Sequence, residues 1–393
     1  MRAISGVSST DMDFSWSEMQ ASLYQETVRF AKSSLVADRF DSTTSEYAPG
    51  SERWRAAASH GLLGLCVPEE FGGSGFDALT TARVMEALGY GCEDMGLAFS
   101  IGAHLFAAAM PLVRYASPEL RRRVLPRMCS GEWIGANAIT ESEAGSDVFA
   151  LCARAERDGD DWILNGVKSY VTNGPLADVT IVYVKTDPSA GYLGVSAFAV
   201  ERGTPGFQFG EAFEKMGLRS APIASLYLED CRVAQSTLLG TEGAGAEVFR
   251  SSMQWERACL FGGYLGQMQR QLEMVIEYAR ERRQFGKRIA NFQAISHRIA
   301  DMKLRMESAR LLLYKACCAF DRGLDATLEI SMAKLAISEA AVQSGLDAMQ
   351  IHGGIGYTTA LGIERELRDA IPATLFSGTS EIQRDLIARE LGL

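Results

Sequence analysis

The sequence has few of the residues from which metal sites are built. Its 393 residues include only four histidines, and its eight cysteines are scattered without a CxxC pair. Zinc sites need such ligands at short, regular spacings. The sequence therefore predicts no metal site, and the scattered cysteines indicate reduced thiols in a cytosol.

Positive charge is also scarce. The chain has 39 Lys and Arg residues against 49 Asp and Glu residues, a formal net charge of -10. Nucleic acid and anionic membrane surfaces repel such a chain on average. The basic run Arg121–Arg123 is typical of a solvated helix face. Residues 1–10 lack the apolar core of a signal peptide, so we expect a cytoplasmic protein that binds no nucleic acid.

One long apolar run needs a membrane test. Residues 96–113 are mostly apolar, but they include Ser100, His104 and Pro111 and have no flanking cationic stop. These features favour a buried core helix over a membrane span. We therefore expect no membrane insertion.

Hydrophobic spacing changes twice along the chain. Helical spacing predicts early helices at 16–35, 51–60, 77–90, 96–115 and 117–128, the last with Ser117 as its N-cap. Short alternating runs then predict strands within 152–174 and at 179–186, 194–202 and 225–233. Turns are predicted at Asp158-Gly159 and Asn165-Gly166.

From about residue 243 the spacing is helical again, with predicted helices near 243–274, 291–320, 324–353 and 379–390. An apolar seam typical of a helix bundle runs along the second of these, at Ile299, Met302, Met306, Ala309, Leu313, Ala316 and Phe320. The predicted fold class is α+β. It comprises an N-terminal helical domain (1–132), a middle antiparallel β domain (133–238) and a C-terminal four-helix bundle (239–393).

Neither common phosphate-binding motif is present. The sequence has no GxxxxGK, and it has no Rossmann GxGxxG. Six other motifs occur in a fixed order: "AITESEAGSD" (138–147), "KSYVTNG" (168–174), "KMGLRS" (215–220), "ERRQFGKRIANFQAISHRIADM" (281–302), "QIHGGIGYTTALGIERELRDA" (350–370) and "SGTSEIQR" (377–384). Together they resemble the acyl-CoA dehydrogenase family over nearly the whole chain from about residue 12. That family has the fold predicted above and is usually a homotetramer.

The resemblance implies FAD as the cofactor. Thr140 and Thr172 match residues at the flavin edge, Tyr170 matches an aromatic residue beside the flavin ring, and Ser146 matches the serine near its phosphates. Three residues match positions that contact the dinucleotide of a neighbouring subunit: Arg282, Phe285 and Gln293. The loop beside the adenine end is matched by Gln350, Gly353 and Gly354. Further flavin contacts are matched by Thr379 and Glu381. A guanidinium such as that of Arg282 suits a pyrophosphate.

The family's catalytic base is missing from its usual place. The resemblance implies that a carboxylate before "GTS" removes the α-proton of an acyl thioester, but Ser377 occupies that position. A serine hydroxyl would need a base of its own. We expect Ser377 to be a wall residue whose backbone N–H serves the substrate carbonyl.

A second glutamate offers a replacement. Glu256 begins an apolar row that continues with Leu260, Tyr264 and Met268, where an unused charge is costly. It matches the base position of the isovaleryl-CoA and long-chain enzymes, with Arg257 ordering the site. The alternative is that Glu256 is a capping or salt-bridge residue. Glu381 is the rival base.

The sequence leaves two kinds of thioester substrate open. The resemblance implies either an acyl-CoA or an acyl or aminoacyl group, such as prolyl, on a phosphopantetheinyl carrier protein. Departures from the family pattern at Glu143 and after "KMGLRS" lie near the expected entrance, and Arg121–Arg123 could contact an acidic carrier. The expected electron acceptor is an electron-transfer flavoprotein. A catalytically silent flavin-binding subunit is a third hypothesis.

Overall fold

The structure, a computed structural model, describes residues 15–36 and 51–393. Its first part is helical, as predicted. The helices are α1 (Glu18–Ser34), α2 (Glu52–Ser59), α3 (Ala78–Gly91), α4 (Met95–Gly102), α5 (Met110–Tyr115) and α6 (Pro118–Cys129). Ser117 is the N-cap of α6, because its hydroxyl accepts a hydrogen bond from Leu120 N–H.

The apolar run is a core helix, as predicted. A π-helical turn, Ala103–Ala109, joins α4 to α5, and its residues are all buried. Met95–Tyr115 is long and apolar enough to cross a membrane, but 94% of its most apolar window is buried inside the protein. His104 lies in the π-helical turn, where its Nδ1 accepts a hydrogen bond from Gly135 N–H. The turn therefore joins the helical domain to the β domain.

The middle part of the described chain is one seven-stranded sheet. Its strands are β1 (Gly135–Ala138), β2 (Arg154–Asp158), β3 (Asp161–Thr172), β4 (Val179–Lys185), β5 (Val195–Glu201), β6 (Phe207–Ala212) and β7 (Ile223–Ala234). The sheet is mainly antiparallel, but β1 and β2 pair with β4 in parallel. The predicted antiparallel β domain thus also contains parallel pairs, because the long connection from β1 to β4 carries the β2–β3 hairpin and permits a parallel return.

The predicted turn at Asn165-Gly166 is also wrong. Strand β3 continues through both residues, with a register shift between Leu164 and Gly166. The Asn165 side chain bonds with Asp230 on the neighbouring strand. A Cβ on Gly166 would come within 2.5 Å of the Ala153 side chain. The Asn-Gly pair therefore makes a β-bulge with close backbone contact, while the turn at Asp158-Gly159 forms as predicted.

The last part is a helix bundle. Its main helices are α7 (Gly245–Cys259), α8 (Gly262–Glu281), α9 (Gln293–Asp321) and α10 (Thr327–His352), followed by the short α11 (Gly354–Tyr357), α12 (Ile363–Ala370) and α13 (Ser380–Glu390). A hairpin of β8 (Arg283–Gln284) and β9 (Lys287–Arg288) lies between α8 and α9. The predicted seam on α9 faces the core, with five of its residues fully buried: Met302, Met306, Ala309, Leu313 and Ala316. The predicted α+β fold class is confirmed.

The helix predicted at 243–274 is two helices. It is interrupted at Leu260–Phe261, directly before the Gly262-Gly263 pair. A Cβ on Gly262 would lie 2.4 Å from the Ala82 carbonyl oxygen. The glycines therefore let α3 pack directly on the backbone of α8, and a glycine pair is a common site for a helix break. This break separates Glu256 from the rest of its predicted apolar row.

Candidate active site

The structure brings Glu256 and Ser377 into contact. Glu256 lies on α7 and is only 7% exposed. Ser377 lies in the loop before α13, and its hydroxyl donates a hydrogen bond to Glu256 Oε1. Sequence reasoning placed both residues in the site but missed this bond. The serine therefore contacts the proposed base directly.

The backbone at Ser377 is tightly held. Ser377 has φ +56° and Gly378 has φ +86°, so two successive residues adopt the left-handed conformation. The Ser377 carbonyl accepts hydrogen bonds from Arg257 Nε (2.7 Å) and Gln383 Nε2 (3.3 Å). Gln383 also donates to the Gly378 carbonyl at 3.1 Å. Strained loops held from several sides are typical of functional sites.

Arg257 and Gln383 thus fix the direction of the peptide between Ser377 and Gly378. Sequence reasoning expected Arg257 to order the site, and its contact with Ser377 is such an arrangement. Gln383 was missed, although it lies in the motif "SGTSEIQR". The Ser377 N–H makes no hydrogen bond to any described residue, which leaves this donor free for a ligand.

Burial controls the charge of this site. Desolvation raises the pKa of Glu256, while the Ser377 hydrogen bond and the positive charges of Arg257 and Lys334 act to lower it. Burial also lowers the pKa of Arg257 to about 10. A carboxylate whose pKa is raised while donors keep it ionised is suited to accept a proton near neutral pH.

The rival base Glu381 has a different environment. It lies in the first turn of α13 and is exposed. Its own backbone N–H and the Thr379 hydroxyl lower the pKa of its carboxyl group. Thr379 is the N-cap of α13 and accepts a hydrogen bond from Ile382 N–H at 3.3 Å. An exposed carboxylate with a lowered pKa is a weaker base than a buried one, so the geometry favours Glu256.

Three predicted flavin residues lie where strand β3 ends, in a region that we call the flavin edge. The Thr140 carbonyl accepts a hydrogen bond from Ser169 N–H at 2.8 Å, which places Thr140 beside Tyr170 and Thr172 of β3. Tyr170 has φ +57° and its ring is 63% exposed. The hydroxyls of Thr140 and Thr172 bond to none of the described residues. Two unused hydroxyls beside an exposed aromatic face fit a bound flavin ring.

A buried ion pair supports this edge and was missed by sequence reasoning. Lys168 Nζ lies 2.7 Å from Glu141 Oε1 and also donates to the Ile139 carbonyl. Glu141 accepts two further hydrogen bonds, from the backbone N–H groups of Cys152 and Ala153. The pair thus ties the segment directly after Thr140 to β3, the strand that carries Tyr170. Both residues lie inside quoted motifs, but only the fold shows that they meet.

The predicted residues for the dinucleotide and its adenine end form a second group, where the C-terminal ends of α8 and α10 meet. Tyr278 stacks on His352 with 4.4 Å between ring centroids, so the ends of α8 and α10 meet there. The predicted residues near this junction, mostly exposed, are Arg282, Phe285, Gln293, Gln350, Gly353 and Gly354. Phe285 is 92% exposed and has φ +51°. Lys334 and Gln350 on α10 are about 24 Å apart along the helix axis, so this group is remote from Glu256.

The remaining flavin candidate, Ser146, is exposed in the loop after β1. No contact joins it to the Thr140–Tyr170 edge among the described residues. Its role stays a prediction. Apart from Ser146, the predicted cofactor residues thus form three groups: the flavin edge, the start of α13 and the far end of the bundle.

Comparison with known proteins identifies the family. Three acyl-CoA dehydrogenase family models match the chain: the N-terminal domain over 17–132, the middle domain over 136–231 and the C-terminal domain over 243–392. The chain is 53% identical to an L-prolyl-[peptidyl-carrier protein] dehydrogenase of Pseudomonas fluorescens, over 87% of this chain and 90% of that protein. A protein of the same name from a Serratia species is 47% identical, over 97% and 99%.

Solved structures agree. One described as "PigA with FAD and proline" has a TM-score of 0.94 and 46% identity, covering 97% of this chain and all of that one. The resemblance inferred from the motifs is confirmed, and so is FAD as the cofactor. The chain belongs to the acyl-CoA dehydrogenase family and is an FAD-dependent dehydrogenase of acyl thioesters.

Proposed function

We propose that this enzyme dehydrogenates a prolyl group held as a thioester on a peptidyl carrier protein. The supporting observation is the identity to two proteins named for that activity, 53% over 87% of this chain and 47% over 97% of it. The buried contact of Ser377 with Glu256 supplies the chemical basis, because it presents an activated carboxylate beside an unused backbone donor.

Glu256 is the proposed base. Its carboxylate takes the α-proton of the thioester, and its raised pKa makes it a stronger proton acceptor than an exposed glutamate. The Ser377 hydroxyl orients the carboxylate before the reaction. The α-carbon must therefore bind on the side of Glu256 that Ser377 leaves open.

Ser377 has a second proposed role through its backbone. Its free N–H can donate to the thioester carbonyl and stabilise the negative charge that develops there as the α-proton leaves. Arg257 and Gln383 hold the following peptide unit, between Ser377 and Gly378, through the Ser377 carbonyl and so fix the loop beside this N–H. When bound, FAD supplies the acceptor for the β-hydride, and Thr140, Tyr170 and Thr172 would hold its ring.

The macromolecular partners are part of the proposal. We propose a carrier protein as substrate donor, an electron-transfer flavoprotein as electron acceptor and a cytoplasmic homotetramer as the working assembly. Arg122 and Arg123 are exposed on α6, and Arg123 pairs with Glu201 of β5. Contact of this run with an acidic carrier stays a prediction.

Anaerobic bleaching of the yellow holoenzyme tests the substrate. The panel contains prolyl and acyl groups on a phosphopantetheinylated carrier, and short, branched and long acyl-CoAs. Reduction at catalytic speed by the prolyl carrier alone supports the proposal. Fast reduction by an acyl-CoA overturns the carrier assignment, and failure of every thioester supports the silent-subunit hypothesis.

A further inference from the structure

A second buried lysine lies near the proposed base. Two lysines among the described residues are buried, Lys168 and Lys334, and both are 0% exposed. Lys168 is paired with Glu141 at 2.7 Å. In contrast, Lys334 Nζ on α10 has no hydrogen-bond partner in the part of the chain that the structure describes. Its ammonium lies over the face of Phe261, 5.5 Å from the ring centroid.

An unpaired buried ammonium is expensive. Desolvation penalises the charged form and lowers the pKa of Lys334 to about 8. A cation–π contact at this distance does not replace the hydrogen bonds that the ammonium loses on burial. A methionine or leucine would fill the same space without this cost. The amine therefore needs a reason beyond packing.

The surroundings of Lys334 connect it to the catalytic loop. Phe261 lies in the break between α7 and α8, and its ring packs against Phe376 with 5.5 Å between centroids. Phe376 immediately precedes Ser377. The rings of Phe261 and Phe376 thus connect the ammonium to the catalytic loop.

Three carboxylates interact with Lys334: Glu256, Glu339 and Glu381. Glu339 is exposed and pairs with Arg384, and Glu381 is exposed in the first turn of α13. Solvent screens both of these interactions. Glu256 is buried, and charges interact more strongly in a low dielectric. Among these carboxylates, the main partner of Lys334 in the protein interior is therefore Glu256, while the positive charge of Arg257 acts in the opposite direction and lowers the pKa of Lys334.

Four groups face Glu256 from four elements. Arg257 shares its helix, Ser377 comes from the loop before α13, Lys334 comes from α10 and Tyr183 comes from β4. Arg257 is committed to the Ser377 carbonyl. The hydroxyl of Ser377 donates a hydrogen bond but carries no net charge. Of the two cations in this group, Lys334 is the one whose charged nitrogen makes no hydrogen bond to another described residue.

We propose that Lys334 is a positioning residue for the reaction: its buried ammonium keeps Glu256 ionised between turnovers. The inference rests on Glu256 being the base. Removing the charge of Lys334 should raise the pKa of Glu256 further. A larger fraction of Glu256 is then protonated at low pH, so the reaction rate should fall first on the acid side and recover as the pH rises.

Stopped-flow reduction of the holoenzyme from pH 5.5 to 9.5 tests this role, using prolyl carrier protein or, if it is the reactive thioester, isovaleryl-CoA. Lys334→Met should reduce the rate about tenfold at pH 6 and leave it near wild type at pH 9. The matched control is Lys315→Met, which removes a partly exposed amine that pairs with Glu329 at 3.7 Å. Its profile should superimpose on that of wild type.

A double variant separates the two proposals. Adding Lys334→Met to Glu256→Gln should cause no further loss, since no carboxylate remains to be held ionised. If Glu256→Gln reduces its flavin normally, the base assignment itself is wrong. If it does not, and Lys334→Met follows the wild-type profile or loses the same factor at every pH, only the Lys334 role is wrong.

A second variant without the charge is the control for a failure of Lys334→Met to fold. Lys334→Gln keeps a polar group of similar length and should show the same acid-side loss if Lys334→Met does not fold. Failure of both variants to retain FAD would assign Lys334 a purely structural role and overturn the inference.

Discussion

The hydroxyl of Ser377 donates a hydrogen bond to the carboxylate of Glu256, across 121 residues of sequence. Sequence reasoning gave the two residues separate roles, with Glu256 as the base and Ser377 as a wall residue whose backbone N–H serves the substrate carbonyl. The contact shows that they form one unit. Ser377 is more than a wall residue, because its side chain orients Glu256 while its backbone N–H stays free.

Glu256→Gln should retain FAD and lose flavin reduction. The amide keeps the size of the side chain but cannot accept the α-proton, and loss of a general base typically costs about 10²- to 10⁴-fold. Anaerobic stopped-flow absorbance measures the rate. Glu381→Gln is the matched control and should stay within a few-fold of wild type; the reverse pattern would make Glu381 the base.

Ser377→Ala should shift catalysis to higher pH. The hydroxyl hydrogen bond lowers the pKa of Glu256 against the effect of burial, so its loss leaves more Glu256 protonated on the acid side. A hydrogen bond to a charged group is worth about 1.5–3 kcal/mol, so the rate at pH 6 should fall about tenfold or more. The control is Ser380→Ala, because the Ser380 hydroxyl has no partner among the described residues. Equal loss at all pH values would contradict this role.

Lys168→Met should weaken both the fold and cofactor binding. It leaves Glu141 buried without its cation, and breaking a buried ion pair costs about 3–5 kcal/mol in the free energy of unfolding. Flavin fluorescence during urea unfolding reports both effects. Glu156→Gln removes an exposed pair with Arg154 and should cost under about 1 kcal/mol. Equal stability of the two variants would show that the Glu141–Lys168 pair does not support the flavin edge.

Asp369 should make the enzyme less stable as the pH rises. Burial, with a contribution from Asp94, raises the pKa of Asp369 to about 7 from the model-compound value of 3.8. The folded state therefore binds the Asp369 proton more tightly than the unfolded state does. This proton stabilises the folded state, and that stabilisation is lost as the pH rises through 7. The expected loss is about 2 kcal/mol in the free energy of unfolding between pH 5.5 and 8.

Asp369→Asn tests this contribution by urea unfolding across that range. The amide oxygen can still accept the hydrogen bond that Leu218 N–H donates at 2.6 Å, but the side chain does not ionise. The variant should lose most of the pH dependence. Asp301→Asn removes an exposed carboxylate and should keep it. Identical pH slopes in wild type and Asp369→Asn would contradict the prediction.

The sequence by itself determined the order of helices, strands and bundle, because hydrophobic periodicity reports which face of a segment is buried. It also determined the family, through six motifs in order, and the two candidate bases. Local signals were less decisive where they depended on neighbours. Asn165-Gly166 is read as a turn in isolation, but its partner strand makes it a bulge.

Only the tertiary structure decided which distant residues meet. The Ser377–Glu256 bond, the Glu141–Lys168 pair and the position of Lys334 behind Phe261 all join segments that sequence order keeps apart. The break at Leu260–Phe261 likewise follows from the packing of α3 against glycines of α8. The physical reason is that burial and charge interaction depend on distance in space, and one sequence without its fold contains no such distances.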